Sequence, residues 1–343
     1  MSINFLDQEL VLEKEINSPP LNYVIVMPVY NDWASVKIML ERIDTTFSSN
    51  HLITDILLVD DGSTEKRKDD MIARQFSAVA NISLLKLKRN VGHQRAIAIA
   101  LTYLYKSKLY DSVIIMDADG EDRPEDIPML ITRYLNKNNK KVIFAARKKR
   151  MEGFSFKFFY RCYQFLHKIL TGHSIRVGNF SIVPYRYLTT LVVSSELWNH
   201  FAASIYKLKI PFEMVKISRG RRISGSTKMD FISLVVHGLS AISVFGETAG
   251  TRILVAAGSL CGLLIIGSIA VICIKFFTLL AVPGWATFTT GLLLILLLQV
   301  MSTSASFLFF VLNNRNASSF IPLRDYSLYI NNTEQIYPNG GQI

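Results

Sequence analysis

The C-terminal third of the chain limits its possible folds most. No residue between Arg252 and Lys275 is charged, and none is charged again from Phe276 to Asn314. A helix of about 20 apolar residues crosses the hydrocarbon core of a bilayer, and the first run, Ile253–Ile274, is long enough. Pro283-Gly284 interrupts the second run, so a short loop and a second span from about Ala286 to Leu312 are expected. Two spans put both flanking segments on one side of the membrane. The basic residues before the first span place that side in the cytoplasm. Residues 1–20 are polar and acidic, without the apolar stretch of a signal peptide, so the domain that follows is expected to stay cytoplasmic.

Most of the charge lies ahead of the spans. The chain has 343 residues and a formal net charge of +11, enough for one large domain with a core of its own. A basic balance suits nucleic acid, an anionic membrane surface or phosphorylated substrates. There is no zinc-finger spacing, RNP motif or basic heptad region, which argues against nucleic acid. Cys162, Cys261 and Cys273 form no CxxC pair or metal-ligand spacing, so neither a disulfide framework nor a zinc site is inferred.

From Leu21 onward short apolar runs alternate with helical patterns. Strands are expected at Tyr23–Val29, Asp55–Val59, Ile82–Leu87, Ser112–Met116 and Lys141–Ala145. Helices are expected at Ala34–Phe47, Lys66–Phe76 and Gly92–Tyr105, and from Pro124, where proline suits a first turn. Continuous apolar strands alternating with helices make a mostly parallel α/β sheet. Ligands of such sheets bind beyond the carboxyl ends of the strands. The polar clusters Tyr30–Asp32, Asp60–Ser63 and Asp117–Glu121 all fall there. Further on, Phe154–Leu170 reads as an aromatic, basic helix, and Gly178–Pro184 and Pro211–Ile217 as strands. Asp230–Gly246 reads as an amphipathic helix at a membrane interface.

Asp117-Ala118-Asp119 follows the apolar run VIIM. Two carboxylates at that spacing, leaving a strand, suit Mg²⁺ or Mn²⁺, which take oxygen ligands and bridge a diphosphate. Asp60-Asp61-Gly62-Ser63 follows ILLV, and its carboxylates suit hydrogen bonds from a ribose or base. The basic run with Arg219, Arg222 and Lys228 suits a phosphate, because arginine offers forked donors and lysine a point charge. Gly225 allows close backbone approach. Arg147 and Arg150 are further candidates for a phosphate clamp. The backbone after Asn90-Val91-Gly92 starts a helix and suits an anion or a cap; His93 is assigned no role as a base.

In order along the chain, VIVMPVYND (24–32), ILLVDDGST (56–64), NVGHQRAIAIAL (90–101), VIIMDADGEDRPEDIP (113–128), AARKKR (145–150), GNFSIVP (178–184) and RGRRISGSTK (219–228) resemble the family-2 glycosyltransferases. The resemblance is to their polyprenyl-phosphate branch, the dolichol-phosphate mannose synthases and bactoprenol-phosphate glucosyltransferases. It covers about two thirds of the chain, and the paired C-terminal spans fit the glucosyltransferase type. It implies a GT-A type α/β domain and inverting transfer of a sugar from a nucleotide-sugar, with UDP favoured, to polyprenyl phosphate. By position, Pro28, Tyr30, Asp32, Asp60, Asp61 and Asp117 would bind the nucleotide. Asp117, Asp119 and Glu121 would hold Mg²⁺ or Mn²⁺. Arg147, Arg219, Arg222 and Lys228 would meet the acceptor phosphate, with Asp119, Arg222 and Lys228 central to catalysis. Glu121 stands where many relatives have glutamine, Gly120 and Arg123 replace the commoner Leu and Pro, Asp32 replaces Glu, and Thr227 replaces Ser.

The expected organisation is an extension (1–20), a catalytic domain (21–229), a juxtamembrane helix (230–251), a two-span anchor (252–313) and a cytoplasmic tail (314–343). Membrane lipids and a second copy of the chain are expected partners, the latter through Gly258, Gly262 and Gly267, which permit close helix packing. A processive polysaccharide synthase is disfavoured by the absence of QxxRW and of further spans. A catalytically silent scaffold is disfavoured by the retained acidic and basic motifs.

Overall fold

A computed structural model describes residues 21–67, 72, 75–147, 154–174, 177–218, 220–223, 231–278, 282–316 and 320–338. The chain divides into two compact units. One comprises the residues up to Lys149 with Arg176–Lys228 and Ile321–Ile343; the other comprises Arg150–Ile175 and Met229–Phe320.

The first unit is built on an eight-stranded sheet. Its strands are β1 (Tyr23–Val29), β2 (Thr54–Asp60), β3 (Val79–Leu87), β4 (Ser112–Ile115), β5 (Val142–Arg147), β6 (Ser181–Pro184), β7 (Phe212–Ile217) and β8 (Ile330–Tyr337), in the order β7-β5-β6-β4-β1-β2-β3-β8. β1 runs parallel to β2 and β4, β2 to β3, and β5 to β7; β6 and β8 are antiparallel to their neighbours. The mostly parallel α/β sheet expected from the sequence is the one observed. β1 is buried along its whole length, which is why its sequence is apolar without alternation.

Helices α1 (Trp33–Ser49), α2 (His93–Ser107) and α3 (Ile127–Leu135, after a 3₁₀ turn at Pro124–Asp126) connect the parallel strands. Val36, Met39, Leu40, Ile43 and Phe47 recur at helical spacing on α1 and are fully buried in the core formed with β1 and β2. Asp44 lies on the same helix and is also buried. Its Oδ1 accepts from the backbone N–H groups of Ser77 and Ala78, at 2.7 and 2.8 Å, and so fixes the entry to β3.

Two expectations need revision. Residues 68–71 and 73–74 of the helix expected at Lys66–Phe76 lie outside the described residues, and Lys66, Arg67, Gln75 and Phe76 are not helical. Residues 330–337, expected within a tail, form β8 on the edge of β3. The sequence INNTEQIY hides this strand because only Ile336 is buried. Its register is held by Lys86 pairing with Glu334 and by the Tyr337 ring set edge-on against Phe76.

In the second unit α4 (Phe154–Thr171) and α8 (Phe231–Ser243), separated in the chain by α5 (Tyr185–Val192), α6 (Glu196–Asn199) and α7 (Phe201–Lys207) of the first unit, accompany α9 (Gly246–Phe277) and α10 (Trp285–Asn316). Both α9 and α10 are long and apolar enough to cross a membrane. They pack antiparallel: Gly250 lies against Phe307 and Val311, and Gly267 against Leu293. Leu263, Ile266, Ile295 and Phe309 are each more than 60 % exposed. A helix pair apolar on every side suits lipid rather than water. Arg252 at the start of α9 donates to the carbonyl of Ile169 at 2.6 Å, satisfying an otherwise open C-terminal group of α4.

Replacing Asp44 with alanine leaves the part-buried Ser77 N–H and the buried Ala78 N–H without their acceptor. It is expected to lower unfolding stability by about 2–3 kcal/mol, read by thermal melting of the purified protein; an unchanged melting temperature would contradict this account of the β3 entry.

Candidate active site

The site begins with strand register. Val29 pairs with Asp60 across β1 and β2, and Val26 pairs with Ile115 across β1 and β4. The chain therefore leaves all three strands at the same edge, and the loops 30–32, 61–65 and 116–123 start side by side.

The first two loops are tied by Asn31. Its backbone adopts a left-handed conformation, φ 50°, which asparagine tolerates better than most residues. Its Oδ1 accepts from the N–H groups of Thr64 and Glu65 at 2.9 and 3.0 Å, its Nδ2 donates to Thr64 Oγ1, and its own N–H donates to Ser63 Oγ. Asp60 Oδ1 accepts from Ser63 N–H at 2.8 Å. Tyr30 is exposed at 41 %. Asp32 precedes α1 without making a side-chain cap, and Pro28 is buried inside β1 opposite Val59.

Asp61 turns inward. Its two carboxylate oxygens accept from Val91 and Gly92 N–H at 2.7 and 2.9 Å. The anion facing the backbone ahead of α2 is thus the protein's own. Burial raises the Asp61 pKa despite those hydrogen bonds and the nearby His93 charge. Asp61 therefore positions the loop before α2 rather than presenting a carboxylate to a ligand.

The loop after β4 carries Asp117, Asp119, Glu121 and Asp122. Asp122, fully buried, accepts from Asp117 N–H at 2.9 Å and shapes the turn. Asp117 Oδ1 lies 3.1 Å from His93 Nε2. Crowding by protein atoms alone would lower the His93 pKa; the charge and hydrogen bond of Asp117, backed by Asp122 and Asp61, outweigh it and raise the pKa. Asn179 Nδ2 sits 3.0 Å from the same imidazole nitrogen. Gln94 donates to Asn179 Oδ1 and accepts from Phe201 N–H at 2.8 Å. Asn31, Gln94, Asn179 and Asp122 were not singled out from sequence. Their position beside acidic loops, in VYND, GHQR, GNFS and GEDR, was the only available signal.

Asp119 Oδ1 accepts from Glu121 N–H at 2.9 Å, and Oδ2 lies 3.3 Å from an Arg222 guanidinium nitrogen. Burial is the largest influence on Asp119 and raises its pKa; Asp117 and Glu121 add to the rise, while the Glu121 N–H and Arg222 oppose it. Residues 220–223 are clasped to this loop: Gly220 N–H donates to Glu121 O and Ile223 N–H to Asp119 O, both at 2.9 Å. Gly120 has φ +85°, and a Cβ there would strike Ile223. A Cβ at Gly220 would strike the Gly120 carbonyl. Only glycine permits this approach from either side.

The donor set is oxygen-rich, the chemistry that Mg²⁺ and Mn²⁺ require. Among the described residues no three His, Cys, Asp or Glu side chains converge on one point. Instead Asp117 faces the His93 imidazole and Asp119 the Arg222 guanidinium, side chains standing where a dication would neutralise the same carboxylates. The donors thus fit a hard divalent ion in kind. The Arg147 side chain, and Arg150, Arg219, Gly225, Thr227 and Lys228, lie outside the described residues.

The model of Glycosyl transferase family 2 matches residues 24–189. The chain is 23 % identical over 278 residues to the uncharacterized glycosyltransferase YkcC of Bacillus subtilis, covering 78 % of this chain and 81 % of that one. It is 32 % identical over 109 residues to the undecaprenyl-phosphate 4-deoxy-4-formamido-L-arabinose transferase of Salmonella choleraesuis, a match spanning 32 % of each chain. Among solved structures, mannosyl-3-phosphoglycerate synthase from Rubrobacter xylanophilus superposes with a TM-score of 0.49 at 15 % identity, covering 70 % of this chain and 76 % of that one. With its acidic loops gathered at one sheet edge, the segment 24–189 is a family 2 glycosyltransferase domain.

Proposed function

We propose that the protein transfers a sugar from a nucleotide-sugar, UDP-linked by preference, to polyprenyl phosphate, at a membrane that α9 and α10 span with the sheet domain on the cytoplasmic side. The observation that carries this reading is the clasp. It brings Asp119, the proposed partner of the donor diphosphate, into contact with Arg222, which belongs to the basic segment suited to an acceptor phosphate. The stretch shared with an undecaprenyl-phosphate sugar transferase and two helices of membrane-spanning length support a lipid acceptor.

In the proposed reaction an acceptor phosphate oxygen bonds to sugar C1 as the bond from C1 to the diphosphate breaks, with inversion, and the nucleoside diphosphate departs. Mg²⁺ or Mn²⁺, when bound, would neutralise charge on that diphosphate. Asp117, Asp119 and Glu121 are the residues to hold it. Tyr30, Asp32 and Asp60 would receive the nucleoside, and Asn31 keeps the two loops that bear them in register. Asp61 and Asp122 act from behind, shaping the backbone before α2 and the turn at Asp117, and Pro28 acts from within β1. Arg222, with Arg147, Arg219 and Lys228, would hold the acceptor phosphate. A phosphate monoester has a second pKa of about 6, so the nucleophile is largely dianionic near neutral pH and needs no strong base. The protein supplies position and electrostatic stabilisation.

The test is a panel of radiolabelled nucleotide-sugars with undecaprenyl phosphate and Mg²⁺ or Mn²⁺, scored by label extracted into organic solvent. Asp119→Asn is expected to reduce that transfer about 100- to 1,000-fold while membrane insertion is retained. Full transfer in the variant, or no lipid-linked label with any donor, defeats the proposal. Gly220→Ala, which forces the clasp open, is expected to reduce transfer at least about tenfold without loss of the folded protein in size-exclusion chromatography; activity equal to wild type would mean that the close approach is dispensable.

A further inference from the structure

We infer that Arg222 is the resident counter-ion of Asp119 and competes with a divalent cation for that carboxylate, so that cation binding hands Arg222 over to a phosphate. The inference rests on the function proposed above and adds an order of binding to it.

Both oxygens of Asp119 are engaged. Oδ1 is held by the Glu121 N–H within the same loop, a contact built into the local turn. Oδ2 is held by a side chain from a distant part of the sequence, Arg222 at 3.3 Å. A cation that takes Asp119 as a ligand can gain an oxygen with least disturbance by displacing the arginine. The two positive charges repel once they share one carboxylate, so occupancy by one weakens the other.

The arginine can leave without unfolding its own segment. Gly220 and Ile223 bind the acidic loop through backbone hydrogen bonds on either side of it, and Ile223 packs against the hydrophobic core. The root of Arg222 is therefore fixed by backbone contacts that do not depend on where its long side chain points. The Arg222 and Asp119 side chains are 24 % and 17 % exposed, so the pair reaches the surface and a new partner can approach. A guanidinium released from a carboxylate, on a fixed backbone, is a ready site for a doubly charged phosphate. Linkage makes the effect reciprocal: the cation must tighten phosphate binding by the factor by which phosphate tightens cation binding.

The experiment uses the full-length protein in detergent, with Mn²⁺ alone titrated and followed by the electron paramagnetic resonance signal of the free ion. Arg222→Ala and Arg222→Gln are expected to bind Mn²⁺ about three- to tenfold more tightly than wild type, as suits removal of one partly exposed ion pair. Arg222→Lys is expected to fall between. Decyl phosphate is then titrated without and with saturating Mn²⁺; its affinity for wild type is expected to rise with Mn²⁺, and that rise to shrink in both neutral variants. Because the variants are expected to gain affinity, misfolding cannot imitate the result. Unchanged or weaker Mn²⁺ binding in Arg222→Ala and Arg222→Gln overturns the handover, provided Asp119→Asn abolishes binding to the wild-type background. Binding that Asp119→Asn leaves intact overturns the handover together with the cation assignment beneath it.

Discussion

The shared edge at which three parallel strands end is the constraint on which the site depends. Val29 beside Asp60 and Val26 beside Ile115 bring the acidic loops out at one edge. A slip of one residue would turn every side chain of β1 to the opposite face. Because β1 is buried on both sides, packing alone sets the register loosely; the hydrogen bonds that fix it sit in the loops. Asn31 supplies four of them, and the Asp61 N–H adds another to the Val29 carbonyl.

Crowding carboxylates at that edge has an electrostatic cost, and the structure meets it in two ways. Asp61 and Asp122 are buried and their charges rest on backbone N–H groups. Such carboxylates hold loops in shape and have little left to offer a ligand. Asp117 and Asp119 face side chains, the His93 imidazole and the Arg222 guanidinium, and side chains can be exchanged for a metal cation more cheaply than a fold can be reshaped. Residues of one chemical type in two adjacent loops are thus divided into scaffold and chemistry by what neutralises them. Burial, with the neighbouring carboxylates adding to it, drives the Asp119 pKa upward even with an arginine beside it.

The strands and the membrane-length helices were legible because each follows one simple rule: unbroken apolar runs between turn residues, and long stretches without charge. The acidic positions were legible because they follow such strands directly. Asp61 was not separable from Asp60 by sequence, since both follow ILLV; only the approach of Val91 and Gly92 distinguishes them. The contact of Arg222 with Asp119 was equally hidden, because it depends on Gly120 and Gly220 allowing two loops far apart in sequence to touch. β8 escaped notice because an edge strand that buries little keeps no apolar alternation. Asn179 and Gln94 lack any pattern of their own; they matter through a chain of amide contacts leading to His93.

The partners of these carboxylates also bear on the kind of acceptor the site suits. A sugar hydroxyl must lose a proton as it attacks, and a positioned base normally takes it. Of the acids beside the proposed cation, Asp117 is met by an imidazole, Asp119 by a guanidinium and a backbone N–H, and Asp122 by a backbone N–H. Each of these contacts favours the charged, proton-free state, against the burial and neighbouring carboxylates that raise the Asp119 pKa. A phosphate monoester arrives with its charge in place and asks for cations instead. Arg222 is such a cation, already held within reach of the acidic loop, and this is why we favour a phosphate over a hydroxyl as the acceptor.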